Sequence, residues 1–269
     1  MKSMAIGFIM AVLVSAAPVF GQGGGPLRGD VSVEIVSDAG RVFRNFPVSD
    51  RWKNETRTVK KYLEAKQGEN YGIEIRNNSP ERLGVVIAVD GRNIVTGSRS
   101  DLKNTETMYI VNAYESARYD GWRTSDSEVH RFYFTEPADS YSVRTFSDAS
   151  AMGVIAVAVY RQKDRPMPQP ELSRSEAAPS APSMDSAGRG MGNANAEKSA
   201  GTGFGEARSA PVVRVEFEPE STPVQKTLVK YEWRETLCRK GVLNCGQEKK
   251  NRLWDNEGYA PYPPDHPRS

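Results

Sequence analysis

From residue 31 to residue 160 the apolar positions come in short runs, alternating or continuous, and clusters of Gly, Asp, Asn, Ser and Pro separate them. This is the spacing of strands, and a helical period is hard to find. Tyr71, Ile73 and Ile75 fall on one face of a strand while Glu74 and Arg76 fall on the other, and Asn77-Asn78-Ser79-Pro80 ends it with turn residues. Two runs are apolar on both faces: Val85-Val86-Ile87-Ala88-Val89 and Val154-Ile155-Ala156-Val157-Ala158-Val159. Such runs belong to central strands covered on each side, and the pair is expected side by side inside one sheet. Asp90-Gly91 follows the first run, and a tight turn is expected there because Gly tolerates positive φ. Further strands are expected at 31–36, 41–46, 59–65, 108–111, 116–119 and 129–134. The stretch 56–65 is ambiguous, since its Lys, Leu, Glu and Ala also suit a helix.

The pattern changes between Asp164 and Gly203, where no Val, Ile or aromatic residue occurs and Pro, Ser, Ala and Gly dominate. Such a segment buries too little apolar surface to offset its ordering entropy, so it reads as a disordered linker. It spans about 35 Å end to end, which lets the rest of the chain return to the same domain. Beyond it Val213, Val215 and Phe217 alternate with charges, Glu220-Ser221-Thr222-Pro223 turns, and Val229, Tyr231 and Trp233 alternate again. A hairpin is expected there, docked on the first domain because two strands alone are marginal in water.

The first 21 residues have a different character: Lys2 is the only charge, residues 5–17 are an apolar run, and Pro18 with Val19-Phe20-Gly21 follows. This reads as a secretory signal peptide cut near Gly21, and the apolar run is shorter than the roughly 20 residues of a membrane span. The expected organisation is a leader at 1–21, a β-sandwich at 22–162, a linker at 163–205, and at 206–269 a hairpin, a short helix and a Pro-rich tail. The expected fold class is all-β, an antiparallel β-sandwich of jelly-roll or Ig-like type. Export implies a periplasmic or secreted protein without a transmembrane segment. The chain has 36 Lys plus Arg against 34 Asp plus Glu, a balance that argues against nucleic acid or a polybasic membrane partner.

Cys238 and Cys245 are the only cysteines, and an oxidising compartment makes them a disulfide. On a continuous helix their Cα atoms would lie about 10 Å apart, beyond reach of a bridge, so the helix that starts near Trp233 must stop and Gly241 is placed to end it. A metal site would need more ligands than two thiols. His130 and His266 are the only histidines, and neither has the company of a nucleophile; His130 reads as an ordinary strand residue. No catalytic, cofactor or metal residues are assigned. A pair of carboxylates, as glycosidases use, cannot be read from spacing. The motifs Gly188-Arg189-Gly190-Met191-Gly192 and Gly201-Thr202-Gly203-Phe204-Gly205 neither follow a strand nor open a helix, so they read as linker glycine rather than phosphate loops. Asp90, Arg92, Asn93, Tyr119, Trp122 and Arg123 are the candidate binding-loop residues, because turns on a rigid sheet present such side chains to ligands. Trp122 could stack on a sugar ring or anchor a protein, or it fills the core, which is the reading taken. The tail at 259–267 should be extended and could be read by a partner, though a plain solvated terminus accounts for it.

The strings Tyr71-Gly-Ile-Glu-Ile-Arg-Asn-Asn-Ser79, 84–91, Gly121-Trp122-Arg123, Phe132-Tyr133-Phe134, 153–160 and Tyr231-Glu-Trp-Arg-Glu-Thr-Leu-Cys238 resemble a family of uncharacterised exported bacterial β-sandwich proteins. The resemblance implies an envelope or extracellular setting and carries over no catalytic residue. The function expected is a non-enzymatic binding or scaffolding protein whose partner is a protein or glycan of the cell envelope. The alternatives are a carbohydrate-binding module or carboxylate-pair glycoside hydrolase, and an envelope assembly subunit that recruits partners through linker and tail.

Overall fold

The computed structural model describes residues 31–163 and 199–245, and the expected leader, most of the expected linker, His266 and the Pro-rich tail lie outside the described residues. In chain order the strands are β1 (Val31–Ser37), β2 (Asn45–Lys53), β3 (Thr56–Ala65), β4 (Asn70–Asn77), β5 (Leu83–Val89), β6 (Arg92–Asn93) and β7 (Tyr109–Val111). They continue with β8 (Ser116–Tyr119), β9 (Gly121–Arg123), β10 (Glu128–Thr135), β11 (Val154–Arg161), β12 (Gly201–Thr202), β13 (Ala207–Ser209) and β14 (Gln225–Trp233). Two short helices, α1 (Tyr141–Phe146) and α2 (Arg234–Arg239), complete the set. The stretch 56–65 is therefore strand, not helix. Its register against β2 puts Val59, Lys61 and Leu63 on one face, and Leu63 is fully buried there.

The strands form two sheets: β1-β4-β10-β12 with β8, β9 and β13 attached, and β2-β3-β14-β11-β5-β6 with β7 attached. This is the all-β sandwich that the strand pattern implied. The two all-apolar runs lie next to each other, with Val89 opposite Ile155 and Val85 opposite Val159. Between the sheets the core contains Ile35, Leu63, Tyr71, Ile73, Ile75, Ile87, Phe132, Phe134, Val157, Val229 and Tyr231, all essentially without solvent contact. The outer face of β5 and β11 carries a second small cluster, Val86, Ala158 and Tyr160, under Leu102 and Met108.

Three expectations need correction. The strand at 41–46 starts only at Asn45, with Val42 making a single bridge to Val36, because the chain must first cross from the β1 sheet to the β2 sheet. The hairpin of 213–217 with 229–233 does not form. Val213 and Val215 are exposed, and this stretch crosses from β13 in one sheet to β14 in the other, bonding through Val212 to Asp126 and through Glu220 to Arg161. Finally, the linker ends earlier than 205: Ala200 and Thr202 are fully buried, and β12 pairs with β10. The sandwich is also not wholly antiparallel, because β14 runs parallel to β3, Gln225 beside Arg57 through Trp233 beside Ala65, while its other edge pairs antiparallel with β11.

The C-terminal end follows the expected geometry. The helix α2 ends at Lys240, Gly241 takes a left-handed conformation (φ +68°), and Cys238 reaches Cys245 across a Cα separation of 5.5 Å as a disulfide. Leu237 and Leu243, buried on either side of the turn, hold the loop against the sheet.

Candidate functional site

The Asp90-Gly91 turn joins β5 to β6 with both residues at positive φ, 48° and 77°, the geometry of a two-residue hairpin turn. The Asp90 carboxylate is buried, and both of its oxygens are occupied. Oδ1 accepts from the Tyr231 hydroxyl at 2.6 Å and the Gly153 N–H at 2.7 Å, and Oδ2 accepts from the Thr202 N–H at 2.8 Å. The Thr202 hydroxyl lies 2.7 Å from the Tyr231 hydroxyl and 2.8 Å from that of Tyr71. Each hydroxyl has one proton, so the chain runs one way when Asp90 is ionised: Tyr71 donates to Thr202, Thr202 to Tyr231 and Tyr231 to Asp90. Burial pushes the Asp90 carboxyl up to about 6, against the pull of Tyr231, the two backbone donors and Lys230. Burial likewise drives Tyr71 and Tyr231 well above the ordinary phenol value. At neutral pH the centre is thus a buried anion solvated by protein donors. It ties together the sheets, since Asp90 and Tyr231 belong to one and Tyr71 and Thr202 to the other. All four side chains are sealed from water, so the arrangement holds the sheets in register and offers no proton to a substrate.

Trp122 is also buried. Its Nε1–H donates to the Gly203 carbonyl at 3.0 Å, and its ring lies edge-on to Phe132 at 5.2 Å and tilted against Tyr141 at 4.6 Å. Asp90 and Trp122 therefore meet on consecutive residues, Thr202 and Gly203, of the strand that the Gly-rich motif provides. That motif is built for close packing: a Cβ on Gly201 would press on Ser140 and Met152, and one on Gly203 would overlap the Tyr133 ring. The register slips by one residue between β12 and β13, so that Gly205 and Glu206 both bond Arg131, a bulge in the strand along β10.

The other candidate residues sit nearby in separate roles. Arg92 donates to Asp148 at 2.7 Å and lies 4.0 Å above the Phe146 ring. Asn93 bonds the Thr107 carbonyl and the Val95 N–H, which folds the loop of residues 97–108 back onto the sheet. Tyr119 packs on Tyr109 at 4.4 Å, and Arg123 donates to the Tyr109 hydroxyl at 2.7 Å. None of the six lines the groove of about 290 Å³ formed by Ser37, Phe43, Glu64 and their neighbours. Among the described residues no three His, Cys, Asp or Glu side chains converge as a metal site requires.

Where Gly203 leaves the interior, an aromatic series comes to the surface. Phe204 is stacked between His130 (4.1 Å, 18°) and Tyr141 (5.3 Å, 23°), and Tyr141 meets Phe146 edge-on at 5.6 Å. Arg92 closes the far end, and the His130 Nδ1–H donates to the Gly205 carbonyl at 2.8 Å. Phe146 and Phe204 remain 41% and 39% exposed, high for phenylalanines so well surrounded by rings. The sequence reading missed this surface. Phe204 stood in the expected linker, and α1 is only six residues long, although Ser140, whose hydroxyl accepts from the Val143 N–H at 3.3 Å, is a legible helix start.

The chain matches the model of a domain of unknown function, DUF7918, over residues 30–242. It belongs to that family. The DUF7918 match begins at the foot of β1 and runs beyond α2, so the strands on both sides of the expected linker fall within one match. No curated protein and no solved structure matches the chain. Membership of an uncharacterised family agrees with the resemblance read from the strings above.

Proposed function

We propose that this DUF7918 protein is an exported, non-enzymatic binding or scaffolding protein of the bacterial envelope, and that it presents the α1 surface to a protein partner. The observation that carries this reading is the exposed aromatic series Phe204-Tyr141-Phe146 capped by the Arg92–Asp148 pair. Aromatic and arginine side chains held rigidly by their neighbours are the usual anchors of a protein interface. The rings of His130, Phe204 and Tyr141 lie face to face, which leaves edges outside. A sugar stacks on an open ring face, so the same geometry favours a protein over the glycan alternative. In support of export stand the disulfide and the apolar N-terminal run of the sequence.

A photo-crosslinking residue placed at Phe146 in cells that make the protein should give one discrete adduct, lost when Phe204→Asp is added. The same residue at Val213, which is 86% exposed and takes no part in the aromatic series, should give none. An adduct pattern that is the same at both positions would refute the α1 surface, and turnover of chromogenic glycosides by the purified protein would refute the non-enzymatic reading. Export predicts a mature N-terminus close to residue 22 and no free thiol.

A further inference from the structure

Between residues 41 and 66 the sequence holds eight Lys and Arg against three Asp and Glu, whereas the whole chain is nearly balanced. These residues lead into and form the β2–β3 hairpin, at the free edge of its sheet. Asn54 and Glu55, both at positive φ, make its two-residue turn. From Pro47 to Lys53 β2 is exposed on both faces except at Ser49, so this end of the hairpin stands clear of the sandwich. Asp50 takes a two-pronged bond from Arg57 at 3.0 and 2.6 Å, Glu64 pairs with Arg234 at 2.9 Å, and Glu55 is engaged as well. Arg41, Arg44, Arg51, Lys53 and Lys60 have no carboxylate at ion-pair distance among the described residues. Along the same strand Trp52 is 57% and Val48 55% exposed.

We propose that the β2–β3 hairpin docks on a lipid bilayer that carries anionic headgroups. The cations meet the negative surface, and Trp52 and Val48 enter the boundary between headgroups and acyl chains. An indole prefers that boundary, where its ring is in apolar surroundings and its N–H remains wet. A bilayer takes an aliphatic and an aromatic side chain of one exposed strand with no shape requirement, whereas a single-stranded nucleic acid would have a use for the ring and none for Val48. Pro47 and the bulge beside it remove regular donors from the strand edge, which disfavours a second copy pairing there. The balanced net charge of the whole chain conceals this segment because it averages over it. The inference does not depend on the α1 surface, which uses none of these residues.

The test is sedimentation of the full mature chain with vesicles of phosphatidylglycerol and phosphatidylcholine in equal parts, beside vesicles of phosphatidylcholine alone and an oligothymidine control. Binding is expected to the anionic vesicles only, to fall steeply with added salt, and to shift Trp emission to shorter wavelength, a shift that W52F removes. Lys53→Gln with Lys60→Gln should lower the partition coefficient about twenty-fivefold, taking about fivefold for each cation. Trp52→Ala should lower it about tenfold. Val213→Ala, an exposed apolar control, should leave it unchanged, and circular dichroism should show every variant folded. Absence of binding to anionic vesicles, or binding that the hairpin variants leave untouched, overturns the proposal. So does a preference for oligothymidine that follows the same variants.

Discussion

Gly121 and Gly203 both lie against β10, but they are not equally replaceable. A Cβ on Gly121 would run into the backbone carbonyl of His130, which the sheet holds in place, whereas on Gly203 it meets the half-buried ring of Tyr133, which can swing outward. Gly121→Ala is therefore expected to destabilise the protein by about 3 kcal/mol and Gly203→Ala by clearly less. Urea denaturation of the two variants measures the difference, and equal losses would contradict this packing. At the same scale the sequence was only half readable. Asp90-Gly91 announced its turn, because that dipeptide accepts positive φ. It did not announce that the carboxylate would be buried, since its partners Gly153, Thr202 and Tyr231 come from three distant places in the chain. Trp122 is in a similar position: its apolar surface suggested a core residue, while its bond to Gly203 depended on a segment that composition assigned to the linker.

Local elements were legible where their signal was local. Residues 71–76 alternate, 85–89 and 154–159 do not, and each became the kind of strand its pattern implied. The stop of α2 at Gly241 and the Cys238–Cys245 bridge belong to the same class. The bridge closes a short loop, which restricts the unfolded chain, so Cys238→Ser with Cys245→Ser should cost about 2 kcal/mol. The wild type should lose a similar amount when reductant is added to the denaturation series, and the double variant should be indifferent to it. The partner of β14 was not legible. Alternation in 213–217 and 229–233 suggested that they pair with each other, but β14 instead fills the place between β3 and β11, both of which precede the linker. Its face pattern fits either arrangement, and only the open edges of those two strands decide between them.

Taken as a whole, the molecule consists of two sheets locked by a buried anion, and its stability should therefore depend on pH in an unusual sense. Most carboxylates in folded proteins stabilise in their ionised form; Asp148, despite its partial burial, is held low by donors at Ser150 and by Arg92. Asp90 is the opposite case. Its folded value, about 6, lies above the ordinary 3.8, so its contribution is fully present below about pH 4 and is lost as the pH rises through 6. Asp90→Asn lacks this titration and also loses the acceptor for the Thr202 N–H. The variant should be less stable throughout, and the gap to wild type should narrow by about 2 kcal/mol between about pH 4 and pH 7. Thermal unfolding of both proteins across that range reads the difference directly, and contributions from all other groups cancel. A gap that widens with pH would mean that the donors outweigh burial at this centre.

The insertion of β14 also bears on how the chain is made. A ribosome delivers β3 and β11 well before Gln225–Trp233, and until that stretch emerges the sheet has a vacant lane with backbone donors and acceptors on both sides. This sheet cannot be completed in chain order; it must wait for β14 to arrive. A chain with this order of events stays open, and so threadable, until β14 has emerged.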